Sequence, residues 1–234
     1  MPPEMQNQQP VFTGNTEVAV RQNKVLRSTY MLLAVSLIPT IIGAAIGTSL
    51  FDFSFLRASP IMASIAMLAI FYGWIYMIEK NKNSSLGLYL LLGFTFFMGL
   101  LLGPLLQRVL GFQNGGQLVM MAAGGTAGVF FILSGIASNA KRDFSFLNKF
   151  ILVGFIVIML AVVANIFLQM PAISMALCGA FIIFSSAIIL WQINDIVRGG
   201  ETNYISATLT LYVSIYNIFT SLLQLLGIVG GDRD

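Results

Sequence analysis

The sequence predicts an all-α membrane protein, a bundle of seven transmembrane helices, on three observations. First, 57% of its 234 residues are hydrophobic and only 9% are charged, against roughly a quarter charged in a soluble globular domain. Second, seven apolar runs, each long enough to cross about 30 Å of hydrocarbon as a helix, lie at about 29–50, 60–78, 86–106, 117–138, 147–169, 173–194 and 205–229. Third, the basic residues alternate between the two sides. Arg21, Lys24, Arg27, Lys80, Lys82, Lys141, Arg142, Lys149 and Arg198 fall on one side, and Arg57, Arg108 and Arg233 on the other. Basic flanks resist translocation, so the richer side is expected to be cytoplasmic, with the N-terminus there and the C-terminus external.

Taken in order, residues 1–28 carry Pro2, Pro3, Pro10 and a run of Asn and Gln. They lack the apolar centre of a signal peptide and read as a mobile polar cytoplasmic tail. In the third run, Thr95, Gly99 and Gly103 recur every four residues, as do Gly124 and Gly128 in the fourth. Small residues at this spacing let helices approach closely in lipid, so both helices are expected to pack tightly. Gly103-Pro104 should kink or end the third helix, because Pro removes a backbone donor and crowds the preceding turn. In the fifth run Asn165 and Gln169 stand one turn apart, directly before the Met170-Pro171-Ala172 link. That link leaves no room for a loop, so runs five and six form a tight hairpin. Residues 230–234 are a short external tail.

The last two runs carry polar residues in register. Cys178, Ser185 and Gln192 are seven apart, and Asp195 continues the series. In the seventh run Asn203, Ala207, Thr210, Ser214, Asn217, Ser221 and Gln224 follow at steps of four and three over about 31 Å, one face of a helix. Polar groups turned toward lipid would go unpaired, so this stripe is expected to face inward. Gln192 and Ser214, with Asn217, Asp195 and Asn165, are the candidate polar seam or ion pathway. Asn203, Thr210, Ser221 and Gln224 complete the stripe. Two readings stand for the seam: interhelical hydrogen bonds worth about 0.6 kcal/mol apiece, or a closed conduit. The first is favoured, since no ionisable group lies deep in any run.

Most catalytic chemistry is excluded by residue type. The chain has no His, which removes a Ser-His nucleophile, a His general base and a His-ligated metal. Asp52, Glu79, Asp143, Asp195, Glu201, Asp232 and Asp234 lie at span boundaries, in loops or in the tail, so no carboxylate pair can share a proton within the membrane. Cys178 is the single cysteine, which forbids an internal disulfide or a cysteine metal cluster. No phosphate-cradling or dinucleotide-binding glycine motif is present, and no basic cluster with interleaved aromatics suggests nucleic acid. No cofactor, metal or enzymatic activity is therefore expected.

The segments NIFLQMPA (165–172) and GGETNYISATLTLYVSIYNIF (199–219), with LRSTY at 26–30 and GGTA at 124–127, resemble the Bax inhibitor (TMBIM) family of seven-span proteins, in its bacterial YccA-like branch. The resemblance implies a bundle with the seventh helix central and a place in the bacterial inner (plasma) membrane. In the wider family, pH-dependent calcium leak is attributed to two acidic residues on helices six and seven. Those positions fall on Gln192 and Ser214 here, and neither can ionise. The pair offers calcium no charge compensation and a proton no titrating site. The bacterial branch is linked instead to a membrane-anchored AAA protease that removes damaged membrane proteins. The resemblance thus implies a non-enzymatic modulator of that protease, with the lipid bilayer and the protease as partners. The alternative is a cation leak with altered gate residues, which would add calcium.

Overall fold

The computed structural model describes residues 13–49, 60–139 and 142–231. Among them the chain forms eight helices: α1 Thr13–Ser49, α2 Pro60–Lys80, α3 Ser85–Leu101, α4 Gly103–Leu110, α5 Gly115–Ala137, α6 Leu147–Leu168, α7 Pro171–Arg198 and α8 Tyr204–Gly230. With α3 and α4 counted as one stretch, seven helical segments are long and apolar enough to cross a membrane. The protein is a seven-span helical bundle.

Helix boundaries follow local chemistry. α1 starts at Thr13, well before the apolar run. An apolar run marks only the part of a helix that crosses hydrocarbon, whereas the helix itself can continue into water. The remainder of the expected tail, residues 1–12, lies outside the described residues, as do residues 232–234 of the expected external tail. α3 and α4 are separated by Leu102, and Pro104 sits in the first turn of α4, where its missing N–H and fixed φ are tolerated. Between α6 and α7 only Gln169 and Met170 are non-helical; Gln169 turns the chain in the left-handed region at φ 49° and Pro171 opens α7.

α8 is the centre of the bundle. It packs against α1, α2, α3, α4, α5 and α7, and only α6 stays clear of it among the described helices. α6 lies at the periphery against α2 and α7, with Leu152, Val157, Leu160 and Phe167 turned outward. Leu91, Phe94, Ile189, Ile193, Leu211 and Ile218 form the dense middle of the core, each fully buried. Apolar side chains inside pack against one another, while apolar side chains outside face the bilayer, which is as apolar as they are.

The closest helix approach runs through glycines on α1 and α3. A Cβ at Gly43 would lie 2.2 Å from the Phe96 carbonyl oxygen, one at Gly47 2.4 Å from that of Leu100, and one at Gly99 2.2 Å from that of Thr40. Gly99 therefore has the packing role its spacing predicts, opposite Gly43 and Gly47. Gly124 and Gly128 do not. A Cβ at either would meet nothing within 4 Å, because that face of α5 is turned out of the bundle. Spacing reveals a small-residue stripe but not which way the helix is rotated.

Gly99→Ala is expected to destabilise the purified protein by about 1–3 kcal/mol through overpacking. Gly124→Ala should leave it unchanged or up to about 1 kcal/mol more stable, from helix propensity alone. Thermal unfolding in detergent measures both. Equal effects of the two substitutions would contradict the assigned helix rotations.

Candidate functional site

The polar face of α7 meets α8. Cys178, Ser185 and Gln192 are all buried, and Cys178 Sγ donates to Gln224 Oε1 across the helix pair at 3.6 Å. Because α7 and α8 are antiparallel, pinning residue 178 to 224 sets Ser185 about level with Asn217 and Gln192 about level with Thr210. Ser214 is buried, yet its hydroxyl donates to the Thr210 carbonyl of its own helix at 2.8 Å. Gln192 and Ser214 thus both lie inside the bundle without bonding to each other. Gln192 Nε2 and Ser185 Oγ are buried with no hydrogen-bond partner in the structure.

The remaining stripe residues divide by depth. Thr210 donates to the Ser206 carbonyl at 3.1 Å, the local back-bond by which helical Ser and Thr satisfy themselves in hydrocarbon. Ser221 is buried and Asn217 half-buried, whereas Gln224 is exposed at the far end. Asn165 belongs to the α6–α7 hairpin rather than to the seam. Its Nδ2 donates to Ser174 Oγ at 2.9 Å, while its Oδ1 is buried without a partner.

A second polar knot, not singled out by the stripe, ties α8 to α1 and α3. The hydroxyls of Tyr212 and Thr40 are 2.8 Å apart, and Tyr212 Oη lies 3.2 Å from the Thr95 carbonyl. One turn on, Tyr216 Oη donates to the Met98 carbonyl at 3.1 Å. The available signal was two tyrosines four residues apart in one span: each phenol needs a partner when buried, and that spacing puts both on one face.

At the polar end, the segment GGETNY is a helix terminator followed by a helix starter. Gly199 ends α7 at φ 83°. The Gly200 amide then donates to the Asp195 carbonyl at 2.9 Å, the pattern of a Schellman cap. Asp195 is half-buried in the last turn of α7 and lies so close to Gly200 that a Cβ there would meet its Oδ1 at 2.1 Å. Asn203 caps α8 by accepting from the Ile205 and Ser206 amides and donates to the Lys82 carbonyl at 3.0 Å. Ser206 donates to Glu79. Asn203 is thus a structural cap joining the α2–α3 turn to α8.

Asn194 was absent from the sequence-derived candidates. It is buried and clamps the α5–α6 loop: Nδ2 donates to the Ala137 and Arg142 carbonyls at 3.2 and 3.1 Å, and Oδ1 accepts from the Phe144 amide. Arg198 adds an ion pair to Asp143 at 3.2 Å. The Ser145 hydroxyl, then its amide and the Arg198 charge, hold the Asp143 carboxyl below its ordinary range. An acid ordinarily near about 4 and held lower stays charged at mildly acidic pH, so this loop remains clamped there.

Together these features define a multi-pass membrane protein with a polar interior and, among the described residues, no carboxylate at mid-span. A model of the family described as "Inhibitor of apoptosis-promoting Bax1" matches residues 22–231. The chain belongs to this Bax inhibitor family. It is 42% identical over 210 residues to "Modulator of FtsH protease YccA" of Escherichia coli K12, covering 90% of this chain and 92% of the relative. A protein of Neisseria meningitidis serogroup A is 43% identical over 222 residues, with 94% and 96% covered. One from Pseudomonas aeruginosa is 42% identical over 230 residues, with 97% and 100% covered.

Tyr212→Phe is expected to destabilise the bundle by about 1 kcal/mol, since it removes the bonds that join α8 to the Thr40 hydroxyl and the Thr95 carbonyl, while Thr40 still bonds the Ser36 and Thr95 carbonyls. Gln192→Met should be neutral within about 0.5 kcal/mol or stabilising, because it removes a buried amide that already lacks one. Unfolding of the purified variants reads both; a large loss with Gln192→Met would mean that the amide is bonded, directly or through water.

Proposed function

We propose that this protein is a non-enzymatic modulator of the FtsH protease in the bacterial inner membrane, oriented with its N-terminus in the cytoplasm. The observation that carries the reading is its identity along nearly the whole length to a relative named for that role. The interior supports it: neutral Gln192 and Ser214 occupy the positions at which the wider family is expected to carry acids, so the bundle holds no titrating gate. The absence of His from the whole chain supports a binding role over catalysis. Nine of the twelve basic residues favour the stated orientation. In this account the polar N-terminal segment engages the protease.

The test is turnover of a membrane substrate by FtsH protease in liposomes, with and without this protein. The intact chain should slow turnover, and deletion of residues 1–12, which precede α1, should relieve the effect. Unchanged turnover with the intact chain would sink the proposal; equal restraint by the truncated form would remove the N-terminal segment from it.

A second reading, a calcium or cation leak between α7 and α8, draws on the unpartnered buried atoms of Ser185 and Gln192. It predicts that Gln192→Asp combined with Ser214→Asp creates a pH-sensitive calcium flux into liposomes at mildly acidic to neutral pH, where paired carboxylates can titrate. Flat traces for the double variant and the parent would reduce the seam to packing.

A further inference from the structure

α1 and α5 both cross the membrane and both pack on α8, yet among the described residues no backbone Cα of one comes within 8 Å of the other. Between them lies an apolar cavity of about 680 Å³, floored by Tyr212, Ile215, Tyr216 and Phe219 of α8. Leu37, Ile41 and Phe131 line its sides and are themselves exposed on the outer surface, so the cavity opens toward the bilayer. Side chains bridge it at one end, where Tyr30 meets Phe130 edge-on with ring centroids 6.0 Å apart.

Four of the six hydroxyl-bearing side chains on its wall are occupied. Thr40 pairs with Tyr212, Tyr216 with the Met98 carbonyl and Thr126 with the Ala122 carbonyl. Two are not, and they sit together. Tyr30 Oη lies within reach of the Ser134 and Ser138 hydroxyls, but neither Tyr30 Oη nor Ser134 Oγ makes a well-formed hydrogen bond. Ser134 is only 8% exposed. Two hydroxyls without a well-formed bond, at one end of an otherwise apolar slot, suit an acceptor carried on a hydrocarbon chain.

Size and position select among occupants. A transmembrane helix about 10 Å wide and about 30 Å long fills roughly 2,400 Å³, several times the cavity, so a partner's helix does not fit. The cavity falls instead in the range of about 300–1,000 Å³ typical of small-ligand sites. It extends along α1 from Tyr30 to Ala44, fourteen residues or about 21 Å, which suits one extended acyl chain. Arg27, exposed and one turn before Tyr30, stands where a phosphate would lie. We propose that the gap between α1 and α5 holds one acyl chain of a bilayer phospholipid, with its ester carbonyl accepting from Tyr30 and Ser134. Lipid then forms part of the wall around α8.

The test uses the full-length protein in vesicles of phosphatidylethanolamine and phosphatidylglycerol, with a fraction of the phosphatidylglycerol carrying a photoactivatable diazirine in mid-chain. After illumination, adducts should map to Ile215 and Phe219 on the floor, which α1 and α5 otherwise screen, as well as to lipid-facing Leu160 on α6. Ala127→Trp, which fills the slot, should abolish the floor adducts and leave Leu160 labelled. If that variant does not accumulate, Tyr30→Phe with Ser134→Ala should give the same selective loss. Labelling of Leu160 without the floor in the parent protein overturns the proposal, as does floor labelling undiminished in the variants. Displacement of the floor adducts by an equimolar free fatty acid would give the slot to a single-chain amphiphile and overturn the phospholipid assignment.

Discussion

A polar group inside hydrocarbon has no water to bind, and that constraint decides where α8 sits. Its tyrosines could not face lipid without losing the partners they reach on α1 and α3. Placed at the centre, it meets six of the seven other helices. Its short hydroxyls turn back onto their own helix, as Thr208, Thr210, Ser214 and Thr220 do. Its tyrosines reach outward instead, to carbonyls of α3. α6 can then be greasy on all sides, whereas α7 adds Ser185 and Gln192 to the buried polarity and α1 adds Ser36 and Thr40.

The neighbours of α8 differ in how tightly they close. α1 and α3 come together over Gly43, Gly47 and Gly99, where carbonyl oxygens occupy the space that a Cβ would need. α1 and α5 remain apart, and the slot between them reaches the floor of the bundle. Tight closure on one flank and an opening on the other make α8 a buried axis with a lipid-facing side. One end of the bundle is fixed separately, by Asn203 at the α2–α3 turn and by Asn194 at the α5–α6 loop.

Much of this was legible in the sequence because the bilayer imposes simple rules. Length and polarity gave the seven spans, Pro104 the break between α3 and α4, and the polar register of α8 its inward face. The rotation of α5 was not legible: Gly124 and Gly128 have the spacing of a packing motif but face out of the bundle, and spacing is unchanged when a helix rotates about its axis. The seam was half legible. Cys178, Ser185, Gln192 and Ser214 are inside as expected, but Ser214 spends its hydroxyl on its own helix, a choice that periodicity cannot reveal. Asn165 went to the hairpin because Ser174 lies just across the turn, and Asn203 to a cap because the α8 amides it accepts from are two and three residues on. Asn194 escaped notice for a different reason, since its three partners are some fifty residues away in sequence.

The central claim is that the polar interior around α8 is packing closed to water. Cysteine accessibility tests it directly: in a Cys178→Ala background, Ser214→Cys is exposed in vesicles to a membrane-impermeant thiol reagent from each side, with Tyr204→Cys at the exposed start of α8 as the reactive control. The account predicts modification at position 204 and none at 214 from either side. Modification at 214 would mean that water reaches mid-span along α8, and the closed interior described here would be contradicted.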